Sequence, residues 1–357
     1  VSSSEDLKKS TRFEIGKLDE HPRERVGHLP TPLEQMPQLA SHLSAGNLFI
    51  KRDDCTGVAF GGNKVRQLEF HFGLAKAKGA DSVLITGAIQ SNYVRITAAI
   101  AAKLGMQCHV QLEHRVPGAG RLYQTNGNVL LDRIFGAHIS YYEEGEDESG
   151  ADQKLRNIAD KLRQQGRSPY IVHLAPGHMP VSALGYVDAA REIVIQCQEA
   201  SIDLDEIIVA SGSGETHAGL LYGLRALNHR TRVTGICVRR TAEHQIARII
   251  RKCSDLCKLT GQEIEIPDSD IHLHDGFLAP GYGLLNEAAG EALKLGARLE
   301  GLVLDPTYTA KSFAGFIDRA QQAGREKSLL FVHTGGTPAI FAYQTELDAM
   351  LRSGTGA

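Results

Sequence analysis

The sequence lacks any apolar run approaching the roughly 20 residues that cross a bilayer. Its opening, VSSSEDLKKSTRFEIGKLDE, has neither the apolar core of a signal peptide nor an arginine-rich transit pattern. These absences predict a cytoplasmic chain with no membrane partner. A charge surplus is also missing: the formal net charge of -3 gives nucleic acid no electrostatic footing. Cysteine is sparse, and six in 357 residues are too few for a disulfide framework. Most of them fall inside apparent strands or helices, as reduced buried thiols do. Only Cys253 and Cys257 are close, and no His or second pair follows at zinc-site spacing, so they read as one face of an ordinary helix and no metal is expected. Repeats and low-complexity tracts are absent, and only RSGTGA at the end reads as frayed. What is present is an ordinary globular composition, 42% hydrophobic and 23% charged, in a chain long enough for two lobes. A small soluble ligand suits it best.

Strand and helix signals alternate from residue 67 onward, which predicts an α/β fold of two doubly wound lobes with parallel sheets. Before that, Thr31-Pro32 reads as an N-cap with proline in the first turn of an amphipathic helix, and NLFIKRDD reads as a strand. A helix near 67–78, the strand DSVLITGA, the helix SNYVRITAAIAAKLG and the strand MQCHVQLE make a parallel crossover unit. HISYYEE, a charged helix over 151–166 and PYIVHLA complete one lobe. The alternation restarts at SALGYVDAAREIVIQCQEA and runs through DEIIVASG, ETHAGLLYGLRAL and RVTGICVR to SLLFVHTGG. The first 50 residues are expected to pack on this second lobe.

Ligands of parallel sheets sit at the carboxyl ends of strands, so four turns there should converge on one crevice. In FGGNKVRQLEF, Lys64 follows two glycines and Asn63 at a helix start; alone it reads as well as a solvated charge. In GAIQSNYVR, Gln90, Ser91 and Asn92 offer free amides and short polar side chains to a carboxylate, and helix capping explains the same residues equally. SGSGETHAGL follows a strand and opens a helix. Its backbone amides and the hydroxyls of Ser213 and Thr216 suit a single phosphate, because both the lysine of a nucleotide P-loop and the full Rossmann spacing are missing. A plain tight turn is the other reading. APGYG, LDPTYTAKS and FVHTGGTPA add Tyr282, Tyr308, Thr309 and Thr334. A lysine, a phosphate loop, a carboxylate loop and several hydroxyls together describe what a pyridoxal enzyme needs.

The ordered set HLPTPLE, KRDDCTG, GGNKVRQLEF, GAIQSNYVR, TNGNVLLD, SALGYV, ASGSGETHAGL, APGYG, LDPTYTAKS and HTGGTPA resembles the D-cysteine desulfhydrase family, which includes L-cysteate sulfo-lyase and 1-aminocyclopropane-1-carboxylate deaminase. The resemblance runs from about residue 28 to 343. It implies the tryptophan-synthase-β type of pyridoxal fold (fold type II) and a homodimer. It also implies a small domain over 67–175, beside a discontinuous large domain of 1–66 and 176–357. By motif, it implies that Lys64 carries pyridoxal 5′-phosphate as a Schiff base and that Ser91 and Asn92 bind the substrate carboxylate and the cofactor edge. Residues 212–216 would hold the phosphate, and Tyr282 and Tyr308 would face the substrate.

The cyclopropane deaminases resemble VYEGK where this chain has Thr309 after Tyr308, so a glutamate at the pyridine nitrogen is replaced by a hydroxyl, with Thr334 as a second candidate partner. A less positive ring suits departure of a good β-substituent better than opening of an unactivated ring. The resemblance therefore implies a lyase that converts a small β-substituted amino acid, of the D-cysteine or L-cysteate type, to pyruvate, ammonia and sulfide or sulfite. The alternatives are ring-opening deamination, β-replacement, or a non-catalytic pyridoxal-phosphate protein, the last disfavoured by retention of Lys64, Ser91 and both tyrosines. The sequence departs from the family pattern in three places: PGHMPVS from Pro176, Tyr93 where relatives usually have histidine, and Glu215 in the phosphate loop. His178 and Tyr93 become candidate substrate contacts, and Glu215 is expected to turn outward, away from a phosphate it would repel.

Overall fold

The computed structural model describes residues 13–353, so most of the sequence's opening polar arm and the end of RSGTGA lie outside the described residues. The order begins β1 (Leu33–Gln35), α1 (Pro37–Leu43), β2 (Asn47–Lys51) and α2 (Asn63–Ala77). It continues β3 (Ser82–Ala88), α3 (Asn92–Lys103), β4 (Gln107–Glu113), α4 (Arg121–Thr125), α5 (Asn128–Ile134), β5 (His138–Tyr142), α6 (Glu148–Gln164) and β6 (Pro169–Val172). The second half runs α7 (Leu184–Glu199), β7 (Glu206–Ser211), α8 (Glu215–Ala226), β8 (Arg232–Cys237), α9 (Ala242–Thr260), β9 (His272–His274), α10 (Glu287–Glu300), α11 (Thr309–Ala323), β10 (Ser328–Val332) and α12 (Gln344–Ser353).

A central parallel strand covered by helices on both sides has to be apolar on both faces. The segment SVLITGA meets that requirement, and every residue of β3 is buried. It lies at the centre of a four-stranded parallel sheet ordered β5-β4-β3-β6, with Ser82 opposite both Gln107 and Pro169. The other sheet has six strands ordered β1-β2-β10-β7-β8-β9. Its pairs are parallel except at the edge, where β1 runs antiparallel to β2. Residues 33–51 thus join the larger sheet, through Leu330 opposite Phe49. The four strands of the smaller sheet all fall within 67–175. We propose that range as the smaller lobe with one amendment: Val65, Ala342, Tyr343 and Leu347 pack into the same cluster as Ile85, Ile96 and Val110.

The Thr31-Pro32 expectation is corrected. Residues 33–35 form β1, and the helix begins at Pro37, the proline that occupies its first turn. Thr31 does not cap because it is bound elsewhere: its hydroxyl donates to Asp53 Oδ1 at 2.8 Å, and its amide donates to Glu192 Oε1 at 2.9 Å.

Those two carboxylates belong to a buried ion cage. Arg66, wholly buried on α2, donates through Nε and Nη2 to both oxygens of Asp53 at 3.0 Å. It reaches Glu192 of α7 through Nη1 at 2.9 Å and Nη2 at 2.7 Å. Lys51 at the end of β2 gives its ammonium to Glu192 Oε1 at 2.5 Å and to the Thr31 carbonyl at 2.7 Å. Two cations and two carboxylates balance, so the group tolerates burial that neither sign would survive alone. Burial pushes the Asp53 and Glu192 carboxyls up, and the Arg66 and Lys51 charges more than offset it, holding both below their usual values. Arg66→Met leaves the carboxylates in excess and is expected to cost about 3–5 kcal/mol at neutral pH in urea unfolding. The wild-type contribution is present above the ordinary carboxylate range and fades as pH falls through the lowered folded values. The gap between the two proteins should therefore narrow below about pH 4.

Candidate active site

Carboxyl ends of strands from both sheets face one cavity, whose wall includes Lys64, Ser91, Asn92, Ser213, Tyr282 and Tyr308. Lys64 reaches it because the preceding backbone takes a path open to glycine: Gly61 and Gly62 have φ of 64° and 124°, and a Cβ on Gly62 would meet the Thr334 carbonyl at 3.0 Å. Asn63 then opens α2 with its amide on the Thr334 carbonyl. The Lys64 ammonium finds no carboxylate. It donates to Gln67 Oε1 at 3.1 Å and lies 5.0 Å from the centre of the Tyr93 ring. Removal from bulk water pushes it down to about 8, against a smaller upward pull from Glu215.

The turn after β7 forms one end of the cavity, through Gly212, Ser213, Gly214 and Thr216. Gly214 has φ 88° and precedes α8, whose Glu215 amide meets only its own loop, at Ser213 Oγ 3.4 Å away, and whose Thr216 and His217 amides lie before the first intrahelical bond and suit an anion. Thr216 Oγ1 accepts from Asn63 Nδ2 at 2.9 Å and from Gln67 Nε2 at 3.0 Å, and it therefore keeps its own proton to donate. The loop itself is fixed by Gln245 of α9, whose Nε2 donates to Ser211 Oγ and to the Gly212 carbonyl.

At the start of α3 Ser91 is the N-cap that the capping reading expects. Its Oγ accepts from the Val94 amide at 3.2 Å as an N-cap, and the residue also lines the cavity. Asn92 Oδ1 accepts from Arg95 Nη1 and Asn128 Nδ2, which leaves its amide group for the cavity side. Tyr93 lines the cavity too, with its hydroxyl on Ser182 and its neutral phenol favoured by burial. Across the cavity, the Tyr282 and Tyr308 hydroxyls share a hydrogen bond of 2.5 Å. Burial pushes both phenols up, so both are neutral donors at physiological pH.

Four predicted residues stand off the cavity wall. Gln90 is committed to backbone: Nε2 donates to the Tyr123 and Asn126 carbonyls, and Oε1 accepts from the Asn128 amide. Thr309 exchanges bonds with Asp305, donating to Oδ1 at 2.8 Å and accepting from the Asp305 amide at 2.6 Å. Of the two hydroxyls considered for a ring partner, only Thr334 faces the cavity. His178 stacks on His173 and bonds Asp152. Glu215 does not turn outward. It is buried and ion-paired with Lys252 of α9, which removes the repulsion that an outward turn was expected to relieve.

Several wall residues escaped the sequence reading. Glu113, ending β4, accepts from Thr86 Oγ1 at 2.7 Å and from Arg115 Nε at 2.8 Å, and all three line the cavity. Arg239 and Arg248 also line it, and both bind Glu148, the first residue of α6, which binds Arg240 as well. Burial would raise the Glu148 carboxyl, but the three guanidiniums hold it below its usual range. The carboxyl-end rule that found the other turns applies equally to QLEHR and CVRR.

A family model described as pyridoxal-phosphate dependent enzyme matches residues 25–335. D-cysteine desulfhydrases of Salmonella typhi and Salmonella choleraesuis are each 43% identical over 328 residues, covering 91% of this chain and 97% of theirs. A crystal structure of an ACC deaminase homologue superposes with a TM-score of 0.83 at 33% identity, covering 93% of this chain and 97% of that one. O-ureido-L-serine synthase, with a TM-score of 0.65 at 17% identity over 96% of this chain and 97% of its own, shares the fold.

The depressed Lys64 amine has a cost in the ligand-free chain. Its folded value near 8 lies below the ordinary 10.5, so below pH 8 the unfolded state holds the charge in water at lower free energy. Allowing for its contact with cavity solvent, Lys64→Met is expected to stabilise the ligand-free protein by about 1–2 kcal/mol at pH 7. The gain should vanish as the pH is raised through 8 toward 10.5, as read by urea unfolding.

Proposed function

The chain belongs to the pyridoxal-phosphate dependent enzyme family, and from that premise we propose that this lyase eliminates the β-substituent of a small amino acid of the D-cysteine type. The products are pyruvate, ammonia and sulfide. The residues present fit the cofactor. An anion cradle at 212–216, with a donor-competent Thr216 hydroxyl, shares one cavity with a lysine that has no acid partner. Lys64 would hold the aldehyde carbon, the 212–216 turn the phosphate, and Thr334 would present a hydroxyl to the ring. When bound, the cofactor supplies a sink for the electron pair released at Cα.

The observation that carries the reading is a base and a pair of acids across one cavity. Lys64 Nζ, depressed to about 8, is neutral often enough near pH 7 to take the Cα proton. Ser91 and the amides opening α3 fix the substrate carboxylate. The Tyr282–Tyr308 pair shares one proton internally and keeps the other to give to the departing sulfur. Tyr93 lies beside Lys64 and limits water at the amine. A hydroxyl at Thr334, in place of a carboxylate, supports β-elimination over ring opening. A specific observation favours a second substrate within the same reaction: Arg239 and Arg248 on the wall suit an anionic leaving group such as the sulfonate of L-cysteate.

A cytoplasmic homodimer completes the proposal. All six cysteines are free thiols, five of them buried. Among the described residues, no helix is long and apolar enough to cross a membrane. Phe60, Leu130, Ile134 and Phe341 leave large apolar surface exposed on segments that pack against α3 or one another.

Purified holoenzyme should release pyruvate and sulfide from D-cysteine, and 2-oxobutyrate from 1-aminocyclopropane-1-carboxylate alone would overturn the elimination reading. Lys64→Ala is expected to lower kcat by about 10²–10⁴-fold. Ser91→Ala should act mainly on KM, by roughly 10–100-fold for one lost bond to a charged group. Light scattering after size exclusion should give twice the chain mass of 38.7 kDa, and Ile134→Glu should shift it toward the monomer.

A further inference from the structure

Three donors that the elimination does not use meet beside the cavity. Asp152 lies in the second turn of α6, with only 3% of its side chain exposed. His173 Nδ1 meets its Oδ1 at 2.6 Å, and His178 Nε2 meets its Oδ2 at 3.2 Å. The two imidazoles stack with 3.7 Å between centroids and 9° between planes. One ligand atom from each residue lies within 4.8 Å of the others. Donors on a tetrahedral zinc ion with bonds of about 2.0–2.1 Å stand about 3.4 Å apart, so an ion is seated when the 2.6 Å His173–Asp152 contact opens and the wider donor pairs, none beyond 4.8 Å, close. The rings have to turn out of their stack for this, and the intervening Pro176 and Gly177 are exposed and free to follow. The remaining obstacle is Arg156, which pairs with Asp152 Oδ2 but is 49% exposed and has solvent to swing into.

We propose that Asp152, His173 and His178 form a binding site for a divalent transition ion, independent of the substrate assigned above. Two imidazoles and one carboxylate select borderline ions such as Zn²⁺, Co²⁺ or Ni²⁺ over Mg²⁺ and Ca²⁺, which take all-oxygen sets. The ion replaces the protons now shared between the rings and the carboxylate and leaves a fourth position to water. Its consequence is mechanical. Leu174 and Ala175, between the two histidines, line the cavity, and Ser182, at the end of the same segment, holds the Tyr93 hydroxyl. A bound ion pins this wall to α6 without touching the reacting atoms.

Zn²⁺ titrated calorimetrically into chelator-treated, dialysed holoenzyme, with no thiol substrate present, should show one site per chain. His178→Ser and Asp152→Asn should each weaken it by at least about 10-fold, while Arg156→Ala, which removes the competing cation, should tighten it. Amide exchange over residues 173–182 should slow when Zn²⁺ is added to the wild type and stay unchanged in His178→Ser. Absence of a stoichiometric site overturns the proposal. So does wild-type affinity in the His178→Ser and Asp152→Asn variants, which would place the ion elsewhere, for example at the stacked His109–His138 pair. Should either ligand variant fail to fold, as judged by its cofactor absorbance, the Arg156→Ala affinity and the wild-type exchange decide.

Discussion

A buried guanidinium sets the geometry on which this active site rests. Arg66 cannot leave water unless both Asp53 and Glu192 come to it, and those carboxylates sit on the turn after β2 and on α7 respectively. Satisfying one charge therefore fixes α2 against the larger sheet and against α7 at once. Lys64 precedes Arg66 by two residues, so the amine on the cavity wall is located by the cage beside it. Lys64 is left without an acid partner while its near neighbour takes two. That division keeps one cation permanently charged and leaves the other free to lose its proton.

The same separation of charges recurs at the turn before α8. Glu215 opens α8, where a carboxylate facing the cavity would oppose an anion, and Lys252 draws it to the opposite side. Its Oε2 is buried with no hydrogen-bond partner among the described residues, so the pairing is incomplete and Lys252 is its principal compensation. The Thr216 and His217 amides that open α8 and the Thr216 hydroxyl remain on the cavity side of that pairing. A substitution that reads in sequence as a conflict is resolved by a residue 37 positions along the chain.

What was legible in the sequence is what depends on local period and on strand ends. β3, α3, β4 and β7 announce themselves by apolar runs and helical spacing, and the rule that ligands gather at carboxyl ends brings Lys64, Ser91, Ser213 and Tyr308 to one cavity. The misreadings involve side chains claimed by distant partners. Thr31 looks like a cap but belongs to Asp53 and Glu192. Gln90 looks like a ligand contact but holds the backbone around Asn126 and Asn128. Thr309 looks like a ring partner but its hydroxyl is taken by Asp305. No window of sequence shows these claims, because each is settled only when elements far apart in the chain have packed. Arg115 and Arg239 were within reach of the strand-end rule, but charged residues two positions beyond β4 and β8 simply look like ordinary surface; Arg248, on α9, was not.

Glu148 carries one more implication. It belongs to the helix between the last two strands of the smaller sheet, whereas the guanidiniums it binds follow β8 or lie on α9 of the larger one. Any motion that parts the two sheets at the cavity mouth must pull one carboxylate away from three cations together. Such a latch is set by ionic atmosphere as much as by shape: it tightens in dilute buffer and loosens as the screening length shrinks. On the anionic-substituent reading proposed above, an incoming sulfonate would compete with Glu148 for Arg239 and Arg248. The incoming molecule would then act as a key as well as a cargo.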